Sequence, residues 1–309
     1  MGAPCPCRAT PSIPSRAGVL CNKVNGYVEH SQSPERLLYP MRRVGPKGAG
    51  NFERISWDAA LDEISERFEG TIQEFGAEAI WPYLGSGSMG LLQGVYAAGR
   101  RFWNVLGASR HLMTICTIAG GVGTGYTLGD NRVGMDPETL RFSKLIILWG
   151  SNTLTSNHHL WRSITTARRN GAYLVVIDPT RTRTAEAADS QLALIPGICG
   201  LSVDAIVELG RRIARTRPTA IRLTMGLQRH GGGGMAVRTI TCIPGVTGDW
   251  RSPGGGVGYD TRGFFGVNGA ALHRDDLRQA DTRASAGRRS ATHGRRSARC
   301  RRRRTSREL

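Results

Sequence analysis

The sequence predicts an α/β fold of Rossmann-like parallel βαβ layers, incomplete and with disordered ends, on three observations. Two runs, Leu145-Ile146-Ile147-Leu148-Trp149 and Tyr173-Leu174-Val175-Val176-Ile177, are wholly apolar and too short for most helices, as strands buried on both faces are. Between them, His158 to Arg169 has helix length and stops at Asn170-Gly171. Both runs end in polar turns, Gly150-Ser151-Asn152 and Asp178-Pro179, which a parallel sheet places at one rim.

The remaining elements follow in order. Residues 1–20 are rich in Pro, Ala, Ser and Arg without periodicity and read as an irregular leader, with ordered sequence beginning near Cys21. Ser56 caps a helix whose Trp57, Leu61, Ile64 and Phe68 share a face, with Asp58, Glu63 and Glu66 solvated opposite. GSGSMG at 85–90 and AGGVGTG at 119–125 read as glycine-rich loops that let a backbone approach another group closely. Ser202 caps a second helix with Val203, Ile206, Leu209 and Ile213 facing inward, ending before Arg217-Pro218. Ala220 to Leu223 suggests a strand and Met235 to Ile243 a helix, followed by the glycine-rich Pro253 to Gly258. After Leu277 apolar residues almost vanish, so the tail does not repay the entropy of ordering.

With 309 residues and 39% hydrophobic content, the chain builds one or two real cores, which excludes a wholly disordered or fibrous protein. The net charge of +18 would suggest nucleic acid or an acidic membrane, but its distribution argues otherwise. Residues 278–309 hold twelve Arg against Asp281 and Glu308, ten of the eighteen charges, so the rest of the chain is only moderately basic. No apolar run reaches the ~18 residues of a membrane span, and no export signal is recognisable, so the cytoplasm is expected. The seven cysteines are odd in number and scattered, which fits reduced thiols or metal ligands rather than a disulfide framework.

From the residues alone the rim has two readings. A strand ending in Gly-Ser-Asn offers backbone amides and a helix start to a phosphate, with Asp178 accepting bonds from ribose or base; the same residues also make an ordinary βαβ turn. The GxGxxG fingerprint is absent at Gly150, and no Walker A, HExxH or GxSxG motif occurs. Cys116 is likewise either a buried thiol or a soft metal ligand, and Asp130 and His158 either structural or functional.

A resemblance narrows these choices. LCNKVNGYVEHSQSPERLLYPMRRVGPKG, FERISWDAALDEI, TICTIAGG, LIILWGSNTLTSNHHLW, ARRNGAYLVVIDPTRTRTAEAADSQLALIPG and MGLQRHGGGGMAVRTITCIPGVTGDWRSPGGGVGY resemble, in the same order, segments of the molybdopterin oxidoreductase family. Members include formate dehydrogenases, nitrate reductases and thiosulfate or polysulfide reductases. The resemblance spans roughly residues 18–277. It implies a leader (1–20), a remnant of the iron–sulfur N-terminal segment (21–55), a molybdopterin-binding α/β domain (56–197), a second α/β segment of that core (198–277) and a disordered Arg-rich tail (278–309).

In that family two pyranopterin guanine dinucleotides hold a molybdenum or tungsten, which implies Cys116 as the metal-side thiolate and Lys23 as the lysine between cluster and pterin. The guanosine contacts carry over to Gly150, Ser151, Asn152, Asp178, Thr180, Arg181 and Asp189, with Gly226, Gln228 and His230 toward the second pterin. Cys21 matches the fourth ligand of the family's [4Fe–4S] cluster, but Cys5 and Cys7 do not supply the other three, so no four-thiolate cubane is expected. A family segment is missing after Gly197, and the C-terminal domain is absent as well. The expected function is therefore a molybdopterin-dependent oxidoreductase transferring two electrons or an oxygen atom, truncated at both ends and shortened within. A small-molecule substrate and an electron-transfer subunit are its candidate partners. The alternatives are an inactive remnant, a non-redox hydratase, or a nucleic-acid binder acting through Arg295 to Arg307.

Overall fold

The computed structural model describes residues 20–21, 24, 26–84, 98–112, 116–131, 134–193, 200–260, 268–278, 282 and 284–285. They fall into two compact units, one of residues 1–32 with 117–266 and one of 33–116 with 267–309.

The first unit is built on a sheet. Strands β1 (Leu145–Trp149), β2 (Tyr173–Ile177), β3 (Ser190–Leu192), β4 (Thr219–Leu223) and β5 (Gly256–Gly258) are all parallel, in the order β3-β2-β1-β4-β5. Around it run α1 (Ile118–Leu128), α2 (His158–Arg169), α3 (Val203–Arg215) and α4 (Gly233–Thr247). Ile146, Leu148, Leu174 and Val176 pack on one face with Leu160 and Ile164 of α2. Leu145, Ile147, Val175 and Ile221 pack on the other with Ile213 of α3 and with Val237 and Ile240 of α4. Both faces are covered, so the strands have no polar alternation to show in the sequence. This confirms the α/β fold, and β1, α2 and β2 lie where the sequence put them.

Two elements of this unit differ from expectation, α1 and α3. AGGVGTG is helical, as part of α1, rather than a loop. Two of its glycines leave no room for a side chain: a Cβ on Gly123 would overlap the Gly234 carbonyl of α4, and one on Gly120 would overlap the Tyr259 hydroxyl. Tertiary packing at a glycine interface thus outweighs the poor helix propensity of Gly. The glycine-rich segment 253–258, to which the sequence assigned no element, contains β5, whose Gly256 has φ +117° and leaves no room for a side chain, since a Cβ there would lie 2.5 Å from the Trp250 ring. On α3, Ile213 is buried and Leu209 packs with it, but Val203 and Ile206 are exposed.

The second unit contains the hairpin Met41–Arg43 with Phe52–Arg54 and the helix Trp57–Phe75. Ser56 caps that helix by accepting from the Ala59 N–H at 3.1 Å, as expected. Glu63 is not simply solvated: it bridges Arg42 at 2.8 Å and Arg67 at 3.1 Å. Those two guanidiniums hold its carboxyl below the ordinary carboxylate range. Trp57, Leu61 and Ile64 form an exposed apolar face. Among the described residues no helix is long and apolar enough to cross a membrane. The leader, GSGSMG, the join at 194–199 and the Arg-rich tail from 286 lie outside the described residues.

Candidate functional site

The carboxyl ends of β1, β2 and β4 meet at one rim. Gly150 turns the chain out of β1 with φ +60°, and a Cβ there would come within 3.3 Å of the Leu227 nitrogen, so the position favours glycine twice over. Its N–H donates to the Ile177 carbonyl at 2.8 Å, and its carbonyl accepts from the Thr224 hydroxyl, which ties the three strand ends together. Ser151 is buried and shares a hydrogen bond with the Thr153 hydroxyl at 2.8 Å. Asn152 accepts from the Thr184 hydroxyl at 2.7 Å, and Thr184 in turn accepts from the Leu154 N–H at 3.0 Å.

Asp178 follows β2 directly. Its Oδ1 accepts from the Thr180 N–H at 2.9 Å, and no described residue donates to its Oδ2. Gln191 braces the same turn by donating to the Asp178 and Thr180 carbonyls at 3.4 and 3.3 Å. Thr180 and Arg181 are exposed. Beside Gly150, the Trp149 Nε1–H is buried with no acceptor. The rim thus presents an open carboxylate oxygen, an exposed hydroxyl and an exposed guanidinium. That set suits a polar ligand carrying both donors and an anionic group.

Two of the expected site residues stand elsewhere. Asp189 lies opposite Leu174, at the amino end of β2 and about 13 Å along the strand from Asp178. Its Oδ1 takes the Arg168 guanidinium at 2.8 Å and its Oδ2 the Leu174 N–H at 2.7 Å, so both oxygens serve the fold. Gln228 is buried, and its Oε1 accepts from the Gly120 N–H of α1 and from the Tyr259 hydroxyl, the latter at 2.7 Å. It clamps the first turn of α1.

Cys116 is half-buried and stands two residues before α1. Cys21 is half-buried, with its carbonyl accepting from the Val24 N–H at 2.9 Å. Lys23, Cys5 and Cys7 lie outside the described residues. Among those described, no three His, Cys, Asp or Glu side chains gather to hold a metal ion. A metal held by cofactor sulfurs and one thiolate needs no such group. His158 opens α2 as its first residue, and the His230 ring meets the neighbouring Gly231 carbonyl at 2.8 Å. Sequence reasoning missed Tyr259, whose partners come from segments 31 and 142 residues away.

Comparison with known proteins adds to this geometry. The family model described as molybdopterin oxidoreductase matches residues 36–293, past the residue 277 at which the resemblance was expected to end. The chain is 35% identical to the probable oxidoreductase YoaE of Bacillus subtilis over 320 residues, covering 88% of this chain and 47% of that one. Those 320 positions draw on only 88% of 309 residues, so YoaE has residues between the matched segments that this chain lacks. It is 27% identical to the dimethyl sulfoxide reductase DmsA of Escherichia coli, covering 73% of this chain and 37% of that one. The chain therefore spans about half or less of the length of these relatives. Among solved structures, acetylene hydratase from Pelobacter acetylenicus shares the fold, with TM-score 0.60, 24% identity and coverage of 74% of this chain and 38% of that one.

Proposed function

The chain belongs to the molybdopterin oxidoreductase family, and from that premise we propose that its rim holds the guanosine arm of a molybdopterin guanine dinucleotide, with Cys116 as thiolate ligand to the molybdenum or tungsten. The reading makes the chain the cofactor-binding part of an oxidoreductase that transfers two electrons or an oxygen atom. A small-molecule substrate, an electron-transfer partner and a cytoplasmic site of action belong to the same proposal. The observation that carries it is Asp178, a carboxylate with one oxygen open at the strand end where Gly150 turns out of the sheet. Guanine presents two adjacent N–H donors to a carboxylate, which adenine does not.

The residues divide the work. Gly150 lets the backbone come close to a ligand, and Ser151 and Asn152 keep the turn in shape through Thr153 and Thr184. Asp178 selects the base, while Thr180 and Arg181 offer a hydroxyl and a cation to the ribose and pyrophosphate. Gln228 acts by holding the start of α1, the helix that follows Cys116. Lys23 is the residue that the family resemblance assigns to the lysine beside the pterin. Asp189 has no part in the proposal, since its oxygens are already bonded at the other end of the strand. When bound, the metallated pterin supplies the centre that cycles between oxidation states. Cys21 has no suitably spaced set of three further cysteines, so anaerobic reconstitution is expected to leave iron and sulfide far below a four-iron stoichiometry. A stoichiometric cluster with broad visible absorption contradicts that.

The test uses binding as its readout, because the chain spans about half of its relatives. After expression in a host that makes the cofactor, the purified protein is oxidised in acid, and the released fluorescent pterin and guanosine monophosphate are counted against protein. Both are expected. X-ray absorption at the metal should show one sulfur neighbour fewer in Cys116→Ala, and an unchanged count removes that assignment. A folded protein that retains neither pterin nor guanosine overturns the reading.

A further inference from the structure

The sheet face covered by α2 holds a cavity of about 170 Å³. Its apolar wall is Met135, Leu140 and Leu160, all buried. Arg222 of β4 lines it as well. A guanidinium in such a setting needs acceptors, because each N–H left without one loses the bond it had in water. Nη1 has two, the carbonyls of Gly258 at 3.1 Å and Tyr259 at 3.2 Å. Nε is buried without an acceptor, and no described residue accepts from Nη2. The bonds on Nη1 fix the plane of the fork and leave Nη2 to something else. Burial also pushes the guanidinium below its ordinary value, opposed by the charge of Asp260. Ser163 of α2 and Glu138 complete the lining.

We propose that this cavity binds a small organic monocarboxylate, its carboxylate on Arg222 and its hydrocarbon tail against Met135, Leu140 and Leu160. A carboxylate suits the Nη2 donors of a charged guanidinium better than any neutral acceptor does. The apolar wall favours a branched hydrocarbon, and Glu138 repels a second carboxylate. An engineered cavity of ~150 Å³ accepts benzene, so this one has room for about six or seven heavy atoms, the size of isovalerate. None of the lining residues belongs to the rim of Gly150 and Asp178, so the inference stands or falls independently of the cofactor reading.

Ligand-observed NMR titration of the full chain with isovalerate, isovaleramide and succinate tests it. The proteins are the wild type, Arg222→Met and Ser163→Leu, each checked for native circular dichroism. Arg222→Met removes the charge, and Ser163→Leu fills the cavity from α2 without touching Arg222, so the test survives if the first variant does not fold. Saturable isovalerate binding is expected in the wild type. It should weaken about tenfold or more for the amide and for Arg222→Met, and disappear in Ser163→Leu. No saturable binding to the wild type, equal affinity for amide or succinate, or unchanged affinity in Ser163→Leu overturns the proposal.

Discussion

Asp178 and Asp189 show how position on a strand decides what a carboxylate does. Each neighbours the same short strand, and the sequence marks both as candidates. Only the register separates them, because Asp189 precedes β3 and pairs back to the start of β2. Asp189→Ala should therefore cost about 1–3 kcal/mol of stability, from the orphaned Leu174 N–H and the lost Arg168 partner, measured by denaturant unfolding. Guanine nucleotide affinity should stay unchanged in that variant, and a loss of affinity without a loss of stability would reverse the assignment. His111 makes a second prediction. It is buried between Trp81 and Tyr83, with ring centroids 5.2 Å from each, and burial, with Arg100 adding to it, pushes its pKa below 6.5. The unfolded chain then takes up a proton that the folded chain refuses, so His111 costs no stability above pH 6.5 and destabilises progressively as pH falls below it. His111→Phe should flatten the acid limb of the unfolding midpoint, and an unchanged limb would show that other groups set it. No pattern in the sequence reveals this cluster, since Trp81, Tyr83 and His111 meet only through the fold.

Helix α1 is the element the sequence hid most completely. A run of small residues such as AGGVGTG carries no hydrophobic period and suggests a loop by propensity, while the reason for its glycines lies in α4, more than a hundred residues away. Gly123→Ala, a good change for an isolated helix, should destabilise this protein by about 1–3 kcal/mol by forcing α1 from α4, visible in its melting midpoint. A stabilised variant would mean that the helices have slack. By contrast β1, α2 and β2 were legible because two buried faces leave a continuous apolar run and a helix cap leaves a local signature. Ser202, which accepts from the Ala205 N–H at 3.2 Å, is such a signature, and Ser202→Ala should cost about 1 kcal/mol.

At the scale of the whole molecule, the parallel sheet gathers Gly150, Asp178 and Thr224 at one rim, which local sequence patterns only half disclose. The strand ends were readable as a place, because parallel sheets bind ligands at their carboxyl ends. The division of that place into contacts and braces was not, since it depends on which oxygens neighbours already occupy. Asp178 keeps one open, and Gln228 spends its own on Gly120 and Tyr259. Gly150 and Asp178 therefore carry the central claim, that the rim recognises guanosine. Calorimetric titration with guanosine diphosphate and adenosine diphosphate, on the wild type and on Asp178→Ala, tests it without a metal or pterin. Guanosine diphosphate is expected to bind measurably and to weaken by about 1.5–3 kcal/mol in Asp178→Ala, with adenosine diphosphate weak in both. Equal affinity for the two nucleotides, or no loss on removing the Asp178 carboxylate, would contradict it.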